Sequence, residues 1–331
     1  MNFVKDHTLF LFPFPVLSRR SVTILAALLL LGAMAALTGC ESDDCVNCVN
    51  LPPPVVPTGV HSISGDGSVL VQWYDISYHP YDGQYNANVE RYFIYWRFYQ
   101  DGDENDPGRT FEYLGEVAWN ENFDPNSGLH WFEDTGAVNG ERYEYAVAAV
   151  NADGLESALS YELVTDAPLP HSAAPVVLYD RDGGFPERSM FDFSLLEDGN
   201  NQGGTGFQAD IQVFFQNGVP YVETVRSGVS IQDFGAFISG QGELVFEGVS
   251  WAPAEGYSST GVLELITGHI YVLELNEGSD GLHYAKFGVL SVGSEVVEII
   301  WAYQTISGLP ELSVPSDGDR FTQPGPSIVS Y

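Results

Sequence analysis

Gly140-Glu141-Arg142-Tyr143-Glu144-Tyr145-Ala146-Val147-Ala148-Ala149-Val150-Asn151-Ala152-Asp153-Gly154-Leu155-Glu156-Ser157 is the stretch that decides the fold class. From Arg142 to Val150 the side chains largely alternate in polarity, the period of a pleated strand. Asn151 to Gly154 then supplies the positive-φ residues of a tight reversal. Working outward, Ser68 to Tyr74, Tyr92 to Phe98 and Phe111 to Val117 show the same period-two pattern, with Gly, Asn, Asp and Pro between them. No long helical pattern interrupts them. Short alternating runs separated by turn clusters predict a β-sandwich over residues 58–166.

This segment resembles the fibronectin type III domains. The residues that carry the resemblance are Pro57 with Gly59-Val60 at the start, Trp73 in the second strand, Tyr95 in the third, Asp134 before the sixth, and the whole run 140–157. The likeness covers about a third of the chain. It implies a core built around Trp73 and a tyrosine corner in which the Tyr143 hydroxyl reaches upstream backbone.

Two insertions exceed a minimal domain of that kind. Ser77 to Asn88 carries Tyr78, Tyr81 and Tyr85 with His79, a density of aromatic side chains suited to sugar or protein contact or to packing on the sandwich edge. Asp101 to Gly108 is crowded with carboxylates, and Asp101, Asp103, Asn105 and Glu112 fall at the first, third, fifth and twelfth positions of a calcium loop. Asp106 stands where that loop requires Gly, so a solvated hairpin tip is the competing reading. Arg181-Asp182-Gly183 has the letters of an integrin-type tripeptide but lies beyond the domain that would present it.

After Ala167-Pro168-Leu169-Pro170 a second β-rich unit is expected over 171–312, followed by a Ser-, Pro- and Gly-rich tail, 313–331. Its expected strands include Phe191 to Ser194, a hairpin of Ile211 to Phe215 and Tyr221 to Val225 turning at Asn217-Gly218, Glu243 to Phe246 and Gly261 to Ile266. A meander follows: His269 to Leu275, His283 to Val292 and Val296 to Tyr303. The expected fold class is all-β: a sandwich that resembles fibronectin type III domains plus a second antiparallel β domain. Thr267-Gly268-His269-Ile270-Tyr271-Val272-Leu273-Glu274-Leu275 followed by His283-Tyr284-Ala285-Lys286-Phe287 resembles the HmuY-type haem-binding lipoproteins. That resemblance implies haem capture, with His269 and His283 as candidate iron ligands and His171 and Met190 behind them. The same two histidines also read as ordinary strand-end residues. Lys286, if buried, is expected to pair with a carboxylate of the same sheet.

The 331 residues carry 12 Lys and Arg against 45 Asp and Glu, a net charge of −33. Such acidity repels phosphate backbones and anionic headgroups, so nucleic acid is excluded as a partner. Lys5, Arg19 and Arg20 precede the apolar run Val22 to Ala36, which is too short to span a bilayer and leads into Leu37-Thr38-Gly39-Cys40. Residues 1–39 resemble a bacterial lipoprotein signal, implying a palmitate-type anchor on Cys40 and attachment to the cell envelope, on the outer membrane. Glu41, Asp43 and Asp44 resemble acidic surface-export signals. Residues 40–57 read as a stalk, with Cys45 and Cys48 forming a local disulfide in an oxidising compartment.

Catalytic signatures were absent. Gly204 to Ala209 has the letters of a dinucleotide fingerprint without the strand–helix setting, Gly256 to Thr260 breaks the nucleophile elbow at its last position, and no H-E-x-x-H occurs. With 45 acidic residues almost any pair can be juxtaposed, so paired carboxylates identify nothing. The sequence therefore points to a non-enzymatic, lipid-anchored protein displaying binding or scaffolding domains to a protein or glycan partner. Haem capture, and service as an accessory subunit of a secreted polysaccharide-degrading system, are the two alternatives.

Overall fold

A computed structural model describes residues 52–76, 89–100, 110–162, 164–195 and 208–314. Unit one of the chain, Met1–Asn50, lies wholly outside them, and with it the signal, Cys40, Cys45 and Cys48. The described part is all-β.

The first domain contains β1 (His61–Ser64), β2 (Val69–Tyr74), β3 (Arg91–Phe98), β4 (Glu112–Ala118), β5 (Phe123–Asp124), β6 (Leu129–Asp134), β7 (Tyr143–Val150) and β8 (Val164–Asp166). They form two four-stranded antiparallel sheets, ordered β1-β2-β6-β5 and β4-β3-β7-β8. Between the sheets sit Trp73, Tyr92, Ile94, Tyr145, Val147 and Ala149, all fully buried. Trp73 meets Tyr92 edge-on at 5.3 Å and stacks on His130 at 5.9 Å. The Tyr143 hydroxyl accepts the Val138 N–H at 2.9 Å, the expected tyrosine corner. Asp134 ties the same region together, accepting the Tyr145 hydroxyl at 2.8 Å and the Gly136 N–H at 2.9 Å. Gly115 of β4 has no room for a side chain, since a Cβ would lie 2.8 Å from the Phe132 ring of the facing sheet.

The second domain adds β9 (Val176–Tyr179), β10 (Met190–Phe191), β11 (Ile211–Gln216), β12 (Val219–Thr224), β13 (Val229–Ala236), β14 (Val262–Glu264), β15 (His269–Asn276), β16 (Leu282–Val292) and β17 (Val296–Gln304). A sheet ordered β10-β11-β12-β14 packs on one ordered β13-β15-β16-β17-β9. The β11–β12 turn is the expected Asn217-Gly218, both at positive φ, 55° and 79°.

Several expectations are corrected. Glu243 to Phe246 is not a strand: Leu244 makes one isolated bridge to Ile238, and Phe246–Gly248 is a 3-10 turn. Of Phe191 to Ser194 only Phe191 lies in a strand, the two-residue β10 that begins at Met190. Strands β9 and β13 were not anticipated. The segment from Phe237 to Ala252 covers the far face of the five-stranded sheet, where Phe246, Val249, Leu169, Leu312 and Val314 pack on Ile270, Val272 and Ala302. That sheet is thus buried on both faces, which is why β15 to β17 read as nearly continuous apolar runs.

The assigned linker and tail are also partly core. Ala167 and Leu169 of the linker are fully buried, as is Val314 at the start of the tail. Pro54 and Pro57, placed in the stalk by sequence, are buried, and Pro52 O accepts the Asn151 side-chain amide at 3.1 Å.

A second tyrosine corner stands in the second domain. The Tyr271 hydroxyl accepts the Ile266 N–H at 3.0 Å and donates to Glu264 O at 2.7 Å. In both domains a positive-φ glycine, Gly140 or Gly268, stands three residues before the tyrosine. Tyr271→Phe should cost about 2 kcal/mol and Tyr143→Phe about 1, because the first removes a donor as well as an acceptor from buried backbone. Urea unfolding of the two variants measures this, and equal losses would contradict the assignment.

Candidate functional site

On the outer face of the β4-β3-β7-β8 sheet the side chains form an aromatic row. Strand pairing sets Phe93 opposite Glu116, and Tyr95 opposite Tyr113 after a bulge at Ile94/Tyr95. Tyr113 meets Phe93 at 5.3 Å and Tyr95 at 6.1 Å, both edge-on. Further along, the Arg97 guanidinium lies 4.3 Å over the Phe111 ring and pairs with Glu144. The Tyr95 hydroxyl donates to Glu156 at 2.7 Å, and burial, reinforced by that contact, pushes its pKa upward. Tyr113 is 54% exposed.

At the other end, the row opens into a cleft of about 420 Å³ lined by Glu90, Arg91, Glu116, Ala118, Trp119, Asn120 and Glu121. Trp119 is 46% exposed, and its backbone N–H donates to Glu90 O at 3.0 Å, fixing the wall. Arg91 stands between Glu90 and Glu116, 3.5 and 3.6 Å away. This face is not among the sites expected from the sequence. Its signal was present in Arg91-Tyr92-Phe93-Ile94-Tyr95-Trp96-Arg97-Phe98, a strand with aromatic residues on both parities instead of one.

The two histidines proposed for haem are not brought together. His269 opens β15, whereas His283 pairs with Leu275, six residues further along the same strand. At about 3.3 Å per residue they stand about 20 Å apart, too far for opposite axial positions on one iron. His283 is 2% exposed, with Nδ1 3.0 Å from Gln304 O and Nε2 3.3 Å from Asp280 O. His269 Nδ1 contacts Asp233 at 3.0 Å. His171 instead bridges Ala302, and Met190 pairs with Gln212. Hemin titration is therefore expected to give no Soret shift that His269→Ala plus His283→Ala abolishes. Such a shift would overturn this placement.

Lys286 is fully buried, but its partners differ from the carboxylate of the same sheet that was expected. Nζ donates to Phe246 O and Val249 O, each at 2.7 Å, and lies 4.1 Å from the Phe246 ring centroid. Burial pushes its pKa down to about 7, with Glu247 acting in the opposite direction. The lysine thus caps the 3-10 turn that closes the far face. Gly288, one pair along, leaves space for that turn, since a Cβ there would meet Leu244 at 2.4 Å.

A second buried cluster lies where the domains join. Leu169 N donates to Gly65 O at 3.1 Å, and Ser64 Oγ donates to Asp166 at 2.7 Å. Burial raises the Asp166 carboxyl to about 6. Glu311, from the segment pairing with Trp251, is raised to about 8 by burial and the nearby Asp166, with Arg142 opposing. Asp210, also buried, is raised to about 7 despite its contact with Arg226 at 2.7 Å.

Of the remaining sequence candidates, Tyr78, Tyr81, Tyr85, Asp101, Asp103 and Asn105 lie outside the described residues, and Glu112 is exposed at the start of β4. Among the described residues no group of three or more His, Cys, Asp or Glu is placed to hold a metal. Among them, too, no helix is long and apolar enough to cross a membrane. Arg181 of the Arg-Asp-Gly tripeptide is engaged by Glu223 and lies 4.3 Å over Phe214.

The sheet orders and tyrosine corner define the first domain as an antiparallel β-sandwich of two four-stranded sheets, consistent with a fibronectin type III-like fold. No protein-family profile matches the chain, and no curated protein does either. Among solved structures, the third fibronectin III domain of a human protein is 18% identical, over 35% of this chain and 82% of its own, with a TM-score of 0.24. The FN1–FN3 domains of chicken CNTN1 are 14% identical over 75% of this chain and 65% of their own, with a TM-score of 0.30. A DUF4466 family protein from Parabacteroides merdae is 7% identical over 77% and 95%, with a TM-score of 0.36.

Proposed function

We propose that this chain is a lipid-anchored protein of the bacterial cell envelope whose β domains are displayed for non-catalytic binding. The observation that carries the binding role is the aromatic row with its Trp119 cleft, in which exposed Tyr113 and Trp119 stand with half-buried Phe93 and Tyr95 among charged groups on the sheet. Structural residues such as Trp73 and Tyr143 are buried in the core, whereas Tyr113 and Trp119 are about half exposed. The anchor rests on the apolar segment ending in Leu37-Thr38-Gly39-Cys40. Myristoyl-class chains need a second attachment signal for stable anchoring, which a diacylated amino-terminal cysteine supplies by itself. Labelled palmitate is expected on the wild-type protein and not on Cys40→Ala; label persisting on the variant would refute the anchor. The resemblance to HmuY-type lipoproteins supports the envelope setting, while haem ligation would have to use a residue pair other than His269 and His283.

A further inference from the structure

We propose that the outer face of the β4-β3-β7-β8 sheet, from the Trp119 cleft to Tyr113, is a binding platform for a chain of neutral sugar residues.

The choice of ligand follows from what the face rejects. A polyanion meets Glu90, Glu116 and Glu121 on a protein of net charge −33. A cationic peptide would seek ring faces and carboxylates together, yet the Phe111 face and the carboxylates of Glu90, Glu116 and Glu144 already carry the chain's own arginines. Arg97 lies over Phe111 and pairs with Glu144, and Arg91 sits between Glu90 and Glu116. An apolar protein surface would have to strip water from carboxylates interleaved with the rings, leaving buried charge without compensation.

A neutral carbohydrate avoids all three objections. Its C–H faces lie on aromatic rings, and its hydroxyls, each both donor and acceptor, suit a lining that mixes guanidinium donors, carboxylate acceptors and the Asn120 amide. The cleft, about 420 Å³, falls in the range of small-ligand sites. Beyond it Phe93 and Tyr95 follow one another along β3 with Tyr113 of β4 beside them, its ring centroid 5.3 Å from Phe93 and 6.1 Å from Tyr95 and edge-on to both. A row of such steps fits successive residues of an extended polymer better than one isolated sugar. Trp119 would hold the first ring and Tyr113 a later one.

This inference rests on the display reading but can fail separately from it. The full chain is run in native gels cast with hydroxyethylcellulose, galactomannan, xyloglucan or glycogen, with polygalacturonate as the anionic comparison. Retardation is expected in at least one neutral gel. Trp119→Ala and Tyr113→Ala should each weaken it tenfold or more, with unchanged thermal unfolding, and Trp119→Phe should restore part of it. No retardation in any neutral gel, retardation by polygalacturonate alone, or retardation insensitive to both alanine variants would overturn the platform. Palmitate labelling retained by a protein that no neutral glycan retards would defeat the platform and leave display standing. Retardation by a protein that takes no label would do the reverse.

Discussion

Lys286→Ala is expected to destabilise the second domain by about 3–5 kcal/mol. The substitution removes a fully buried side chain, opens a cavity, and leaves the Phe246 and Val249 carbonyls without their donor. Lys286→Met keeps the volume and loses only the donor, so a smaller loss of about 2 kcal/mol should follow. The lysine also sets a pH slope. Its folded pKa is about 7 against an ordinary 10.5, so between those values the unfolded chain holds a proton that the folded chain has released. Stability therefore rises with pH across that window relative to a chain lacking the lysine, and is lost as pH falls through 7. Denaturant titrations of wild type and both variants at pH 6 and 9 test this. A variant as stable as wild type, or one whose difference from wild type is unchanged between the two pH values, would contradict the capping role.

Glu311 has the opposite sign. Its folded pKa is raised to about 8 from 4.5, so the folded chain keeps a proton that the unfolded chain gives up. The stabilisation is complete below 4.5 and lost as pH rises through 8. Asp166, raised to about 6, adds in the same direction over a lower window, and Arg142 is the cation that partly offsets both. Glu311→Gln cannot ionise, and at pH 8 it should be more stable than wild type by on the order of 3 kcal/mol, with the two converging near pH 5. Melting temperatures across pH 5 to 9 measure the effect. An identical pH slope in the variant would show that the joint does not depend on this carboxyl.

The elements that could be read from sequence were those whose local pattern agrees with their surroundings. β3 alternates because one face meets the core, β2 and β7 are apolar-rich strands buried almost throughout, and Asn217-Gly218 fixes its hairpin by backbone conformation alone. Glu243 to Phe246 misled because its apolar residues serve a covering turn, not a ladder. β13 escaped notice because Asp233 and Gly235 interrupt its pattern at a bulge, and β9 is a short edge strand. The candidate site was least legible. The aromatic row is created by register between β3 and β4, and the partners of Lys286 lie 37 and 40 residues upstream. His269 and His283, by contrast, looked paired only because they are near in sequence.

The path of the chain through the first domain has a mechanical consequence. Pro52 is held by Asn151 just past the end of β7, whereas Asp166 lies opposite Tyr143 at its start. The polypeptide enters at one pole and leaves at the other, separated by the eight residues of β7, about 26 Å. Any pull between the two ends must therefore cross the whole sandwich and load both sheets along their strands. The domain acts as a strut in tension, and at its exit the Ser64–Asp166 and Gly65–Leu169 bonds resist peeling where the second domain begins.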